Sequence, residues 1–134
     1  MEAFGILIQT LFVGMIFATP FLVLAYRNRA NKNTGIIFIN IISLPIIFAI
    51  VLISAYWPEF FGNIRLSSMG FDFYGMTDFE RTLGVSPELK AEANSLYWSN
   101  MGIGWPLKAL IAFVFFVPYP SISLLIFKFL KRRA

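Results

Sequence analysis

Three long runs without a charged residue dominate this chain of 134 residues. They cover residues 3–26, 36–57 and 109–127. An α-helix rises about 1.5 Å per residue, so about 20 apolar residues span a hydrocarbon core about 30 Å thick. Each run is therefore long enough to cross a bilayer once. The sequence predicts three transmembrane helices.

The composition excludes most other classes of protein. Apolar residues make up 58% of the chain and charged residues 13%, whereas a soluble domain is about 25% charged. Such a chain is neither a water-soluble globular domain nor a disordered segment. It contains no His and no Cys, the residue types most used as general base and as thiol nucleophile. We expect a protein that is not an enzyme, with no catalytic residue, metal site or cofactor.

The residues that flank the runs indicate where each helix meets the membrane surface. The first run begins after Glu2 and is followed by basic residues, the reverse of a secretory signal peptide. We expect it to be retained as a membrane span. The second run ends in Tyr56 and Trp57, and Trp105 precedes the third. Trp and Tyr concentrate at membrane–water interfaces, so these residues are predicted anchors.

The distribution of charge predicts the orientation of the chain. Seven of the 11 basic residues flank the spans in the first loop and the C-terminal tail, namely Arg27, Arg29, Lys32, Lys128, Lys131, Arg132 and Arg133. Segment 58–108 carries six acidic and four basic residues, a net charge of −2. Short loops rich in Lys and Arg stay in the cytoplasm. We expect an extracytoplasmic N-terminus and a cytoplasmic C-terminus, with the basic tail serving topology rather than nucleic-acid binding.

The small size and the absence of an N-x-[ST] sequon favour a bacterial cytoplasmic (inner) membrane, with an organelle membrane as the alternative.

Within the outer segment 58–108, glycines and alternating apolar residues at 62–75 predict a short hairpin or an irregular loop. Thr77 and Glu80 fit a capping box that opens a helix at 78–83, and Ser86-Pro87 opens a second at 87–100. The predicted fold is a single all-α integral membrane domain over residues 1–134.

Proline and polar residues within the spans give further expectations. Pro20, Pro45, Pro118 and Pro120 each remove a backbone hydrogen bond, so we expect kinks. Gln9 and Asn40 are the strongest candidates for hydrogen bonds between helices or for contact with a solute.

Two groups of residues are candidates for binding. The first group combines a small-residue pair, an intramembrane amide and outer aromatic residues as partner-binding candidates: Gly14, Ala18, Asn40, Tyr97, Trp98 and Trp105. The second group is a carboxylate and arginine cluster that offers contact with a lipid headgroup: Asp72, Asp78, Glu80 and Arg81.

Three functions fit these observations. The leading hypothesis is a small accessory or structural subunit that docks onto a larger membrane protein and forms a hetero-oligomer within the lipid bilayer. The first alternative is a membrane immunity or inhibitor protein against a pore-forming toxin. The second is a small oligomeric solute carrier, in which Asn40 and the proline kinks line a path.

Overall fold

The fold is all-helical, as predicted. The computed structural model describes residues 2–134, and no strand occurs among them. The helices are α1 (Glu2–Arg29), α2 (Ile36–Ser68), α3 (Asp78–Arg81), α4 (Lys90–Asn100), α5 (Trp105–Phe116) and α6 (Tyr119–Arg133). Three segments are long and apolar enough to cross a membrane: Ala3–Arg29, Ile36–Ser68 and Trp105–Arg133. This confirms the predicted fold class.

The chain folds into two compact units. Unit 1 contains the described residues up to Ser54 together with Ala109–Ala134, and unit 2 is Ala55–Lys108. Unit 1 therefore holds most of the apolar runs. Unit 2 corresponds closely to the segment that the charge pattern placed outside the membrane.

The first helix runs three residues beyond the uncharged run and ends at Arg29. Asn31 then adopts a left-handed conformation, with φ 52°. The amide of Asn31 donates to the carbonyl of Asn28 at 3.1 Å, and the amide of Lys32 donates to that of Arg27 at 3.2 Å. These two bonds form a Schellman motif, which satisfies carbonyls that a helix end leaves free. The last charge-free residue thus marks the edge of the apolar span and not the end of the helix.

The second helix corrects the prediction for residues 62–68, which are helical and neither a hairpin nor a loop. We expected the helix to close near Trp57, yet it continues through Pro58 to Ser68. Proline has no N–H to offer the carbonyl four residues earlier, here that of Ser54. The side-chain amide of Gln9 donates to this carbonyl at 3.1 Å, and the Ser54 hydroxyl donates back to Gln9 Oε1 at 2.8 Å. Gln9 supplies the bond that proline removes.

Proline interrupts the third span, whereas α1 and α2 continue unbroken past Pro20 and Pro45. Helix α5 ends at Phe116, and α6 begins at Tyr119 with Pro118 at its N-cap. The Tyr119 hydroxyl donates to the Phe17 carbonyl on α1 at 2.8 Å, and the two rings pack edge to face. Tyr119, at the start of α6, therefore forms a second hydrogen-bonded link between helices, after that of Gln9 with Ser54.

Both predicted short helices of unit 2 are present, but both are shorter than predicted, and α4 does not open at Ser86-Pro87, because its N-cap is Leu89. Helix α3 covers Asp78–Arg81 and not 78–83, and α4 covers Lys90–Asn100 and not 87–100. The amide of Glu80 donates to Thr77 Oγ1 at 3.2 Å, which confirms the N-cap. The Glu80 carboxylate accepts from the Met76 amide at 2.8 Å, one residue before the expected partner.

Unit 2 has its own core of five buried residues, namely Leu66, Phe71, Val85, Ala93 and Tyr97. The chain turns into this core at Gly70, whose φ of 82° disfavours other residues. A Cβ on Gly70 would lie 2.6 Å from the Gly84 carbonyl oxygen, and a Cβ on Gly84 would lie 2.6 Å from that of Gly70. Two backbone segments therefore cross in contact. An ion pair between Arg65 and Glu92 links α2 to α4.

The pairing of Gln9 with the carbonyl released by Pro58 predicts a dependence between the two positions. Gln9→Leu should lower the free energy of unfolding in micelles by about 1 kcal/mol, because Ser54 loses its hydrogen-bond partner within unit 1. In a Pro58→Ala background, the restored N–H serves that carbonyl, and the same change should have a smaller effect. Denaturant titration of the four variants measures this difference. Equal effects of Gln9→Leu in both backgrounds would contradict the pairing.

Candidate functional site

The most exposed apolar side chains of unit 2 come from one short stretch, residues 72–83, which we call the apolar loop. Tyr74 is 94% exposed, Met76 89%, Phe79 69% and Leu83 61%. Phe73 is also exposed. Large apolar residues this accessible are ordinary in a lipid-facing helix, but the apolar loop also carries four charged residues. It is therefore the most unusual surface of unit 2.

The Arg81 side chain fixes the shape of the apolar loop. Its Nε donates to the Gly75 carbonyl at 2.8 Å, and Nη1 donates to Asp78 Oδ1 at 3.1 Å. Nη2 lies 3.4 Å from the Met76 carbonyl. The guanidinium carbon lies 4.7 Å from the centroid of the Tyr97 ring, a cation–π distance. Arg81 thus ties the backbone of the loop to the core of unit 2.

Backbone contacts close the same loop. The Asp72 amide donates to the Arg81 carbonyl at 2.9 Å, and Asp72 Oδ1 accepts from the Tyr74 amide at 2.9 Å. A Cβ on Gly75 would lie 2.8 Å from the backbone nitrogen of Arg81, so only glycine fits without a shift. The exposed apolar side chains therefore project from a backbone that is already ordered.

The four headgroup candidates are brought together in the apolar loop. Arg81 and Asp78 form an ion pair, Asp72 accepts from Tyr74, and Glu80 accepts from Met76. Each of these groups has a partner within the loop, which gives all four a role in building it. Contact with a lipid headgroup remains a prediction.

In unit 1, Gly14 and Ala18 lie on an open furrow along α1. The residues that line it are Ala3, Ile6, Leu7, Thr10, Leu11, Gly14, Met15 and Ala18. A Cβ on Gly14 would meet no other atom within 4 Å. The opposite side of α1 packs within unit 1, where Ile16 and Thr19 are buried. The helix therefore has one face used by its own chain and one face that is open.

The other partner-binding candidates occupy different environments. The Asn40 amide donates to Ser121 Oγ at 2.8 Å and to the Ile36 carbonyl at 2.9 Å, so it joins α2 to α6. Tyr97 is a core residue that packs against Phe71, with ring centroids 5.1 Å apart. Trp105 is half-buried. Of the six candidates, Gly14, Ala18 and Trp98 are exposed.

Inspection of the sequence did not single out the apolar surface at Tyr74, Met76, Phe79 and Leu83. These residues follow neither a helical nor a strand period, because most of the loop has no regular secondary structure. The available signal was the density of aromatic residues between Gly70 and Gly84. Which of them face outward depends on the bonds of Arg81, and no spacing rule describes those bonds.

Comparison of the chain with protein-family models, with curated proteins and with solved structures gave no match. The roles of these residues therefore rest on their contacts, their exposure and their chemistry.

Proposed function

We propose that this protein is an accessory subunit that docks onto a larger membrane protein. The observation that carries the proposal is the apolar loop, in which Tyr74 and Met76 are almost fully exposed on a backbone fixed by Arg81. Apolar surface of this kind outside the transmembrane runs marks a binding surface.

The chemistry of the apolar loop fits a protein partner. Tyr, Phe and Met are enriched in the buried centre of protein interfaces. Covering apolar surface contributes about 25 cal/mol per Å², and an ordered loop loses little conformational entropy when it binds. The bonds of Arg81 therefore favour docking by preparing the binding surface in advance.

The furrow on α1 is the second proposed contact and acts within the bilayer. Small residues allow helix backbones to approach closely. Within the bilayer no hydrophobic effect drives helices together, so this close packing is a main source of association. Gly14 and Ala18 provide such a surface on the face of α1 that unit 1 leaves open. A transmembrane helix of the partner is the proposed occupant.

We also propose that the protein lies in a bacterial cytoplasmic membrane with its C-terminus inside. The Lys131 ammonium donates to Asn28 Oδ1 at 2.7 Å, so the end of α6 lies beside the end of α1. This contact supports the proposal because it gathers the two basic flanks at one end of unit 1. Basic clusters of this kind remain cytoplasmic.

The orientation is testable with single cysteines, since the natural chain has none. In intact cells, a membrane-impermeant maleimide should label Ser86→Cys in the exposed part of unit 2 and leave Ala134→Cys unlabelled. Both should react after the membrane is permeabilised. Labelling of Ala134→Cys alone in intact cells would show the opposite orientation and contradict the proposal.

Docking through the apolar loop is testable by co-purification in a mild detergent. Tyr74→Ser with Met76→Ser should release a stoichiometric larger protein, because both side chains are exposed and neither supports the core of unit 2. Met101→Ser with Ile103→Ser is the matched control, since these residues are also exposed in unit 2 but lie outside the apolar loop. The control should retain the partner.

The same assay tests the furrow on α1. Gly14→Leu should weaken retention of the partner by filling the furrow, whereas Gly5→Leu should not, although a Cβ at either position meets open space.

Retention of the partner by every variant would refute docking through these surfaces. Purification of a homo-oligomer alone would favour the carrier, and a lone monomer that captures a toxin would favour the immunity protein.

A further inference from the structure

The basic end of unit 1 contains a cavity of about 260 Å³. It lies between the end of α1, the loop that joins α1 to α2, and α6. Its lining residues include Asn28, Lys32, Lys128 and Lys131, together with Leu124 and Phe127. This volume is slightly below the range of ordinary ligand pockets, about 300–1,000 Å³, and suits a group the size of a headgroup.

Hydrogen bonds of neighbouring residues hold the loop and the helix that form the polar wall of this cavity. The Schellman motif at Asn31 sets the path of the loop after α1. Arg27 then donates to the Asn33 carbonyl at 3.0 Å, and its guanidinium carbon lies 4.0 Å from the centroid of the Phe38 ring. On the other side, Lys131 donates to Asn28 Oδ1. The loop and α6 are therefore held around the cavity.

The wall carries positive charge with no compensating carboxylate. Lys32, Lys128 and Lys131 line the cavity, and no Asp or Glu does. Among residues 2–134, both ion pairs lie in unit 2, Arg65 with Glu92 and Arg81 with Asp78. Lys131 uses one of its three N–H donors on Asn28, and the Asn28 amide nitrogen remains a donor towards a ligand.

The floor of the cavity is apolar. Leu24 and Leu124 belong to the buried cluster at this end of unit 1, and Phe127 packs against it. The cavity thus joins an ammonium and amide wall to an aliphatic and aromatic floor. A hydrated inorganic anion needs only the wall, whereas a phospholipid has a phosphate for the wall and glycerol and acyl carbons for the floor.

Lysines at the end of a helix also stabilise its dipole, which is the simplest alternative role for these residues. That role accounts for charge near the ends of both α1 and α6, Lys32 included, but it does not require the three lysines to surround one cavity. It also does not require the Lys131 ammonium to contact Asn28 on another helix. Two segments, the loop after α1 and helix α6, place three lysines around a single space.

We propose that this cavity binds the phosphate group of an anionic phospholipid headgroup, with Lys32, Lys128, Lys131 and Asn28 as donors. Basic pockets between transmembrane helices are suited to such headgroups. The bound lipid joins the ends of α1 and α6 to the loop between α1 and α2. This inference stands independently of the proposed docking function.

The test uses the full chain in a neutral detergent, titrated with phosphatidylglycerol, with phosphatidylcholine of the same acyl chains, or with inorganic phosphate. Binding to the folded state stabilises it by RT ln(1 + [L]/Kd), so the rise in unfolding temperature at each lipid concentration gives the affinity. We expect phosphatidylglycerol to bind at least about tenfold more tightly than phosphatidylcholine, because the headgroup of phosphatidylglycerol carries a net negative charge and that of phosphatidylcholine does not. Inorganic phosphate should bind more weakly than phosphatidylglycerol because it leaves the floor uncovered.

Matched charge-removal variants test the position of the site. Lys128→Ala with Lys131→Ala should weaken phosphatidylglycerol binding about 25-fold, at about fivefold per lysine. Arg132→Ala with Arg133→Ala removes the same charge from the same tail outside the cavity, so we expect a much smaller effect. Lys32→Ala, in the loop after α1, removes the third lysine without altering α6 and should weaken binding about fivefold.

Two results would overturn the proposal. Equal losses in the Lys128/Lys131 and Arg132/Arg133 variants would show diffuse attraction of the tail to an anionic surface and no defined site. Inorganic phosphate that raised the unfolding temperature as strongly as phosphatidylglycerol would identify a soluble anion and not a lipid as the ligand. The unfolding transition of each variant without lipid reports directly whether that variant is folded.

Discussion

The reciprocal pair between Gln9 and Ser54 is the interaction on which the course of the chain most depends. Hydrocarbon offers no partner to a free carbonyl, so a carbonyl that proline frees in or near a span is stabilised by a donor from the protein itself. Here the Gln9 amide donates to the carbonyl that Pro58 leaves without its usual bond. Helix α2 can therefore continue to Ser68, and Leu66 near its end becomes part of the core of unit 2.

Unit 2 builds its core from few apolar side chains and relies on close backbone contact. Gly70 and Gly84 cross where any side chain would collide, and Arg81 joins the apolar loop to Tyr97. The charged residues of this loop are therefore part of its construction. Their bonds hold the apolar loop in a form that keeps Tyr74 and Met76 exposed. In the proposed function, this exposed surface meets a partner.

The sequence predicted the features that depend on local pattern. The absence of charge located the three spans, and Thr77 with Glu80 located α3, because both signals act within a few residues. Signals of the same local kind failed at Pro58, where the compensating group is Gln9, 49 residues away along the chain. Asn40 was a predicted interhelical donor, but its partner Ser121 became evident only from the fold.

The two candidate surfaces were harder to predict for the same reason. Exposure of Tyr74 depends on how Arg81 folds the apolar loop, and no periodic pattern encodes those bonds. In the sequence alone, the lysines of the first loop and the C-terminal tail are signals of topology. Their positions around one cavity result from the packing of α6 beside α1. Charge counting alone could not separate a flanking cluster from a binding site.

The most direct test of docking through the apolar loop is photo-crosslinking in living cells from that loop. With p-benzoyl-phenylalanine at position 74, irradiation should join the protein to one larger membrane protein, because Tyr74 is 94% exposed in the proposed interface. The same probe at position 103, exposed in unit 2 outside the apolar loop, should give little of this product. Crosslinks from position 74 to lipid only, or the same product from both positions, would contradict the account.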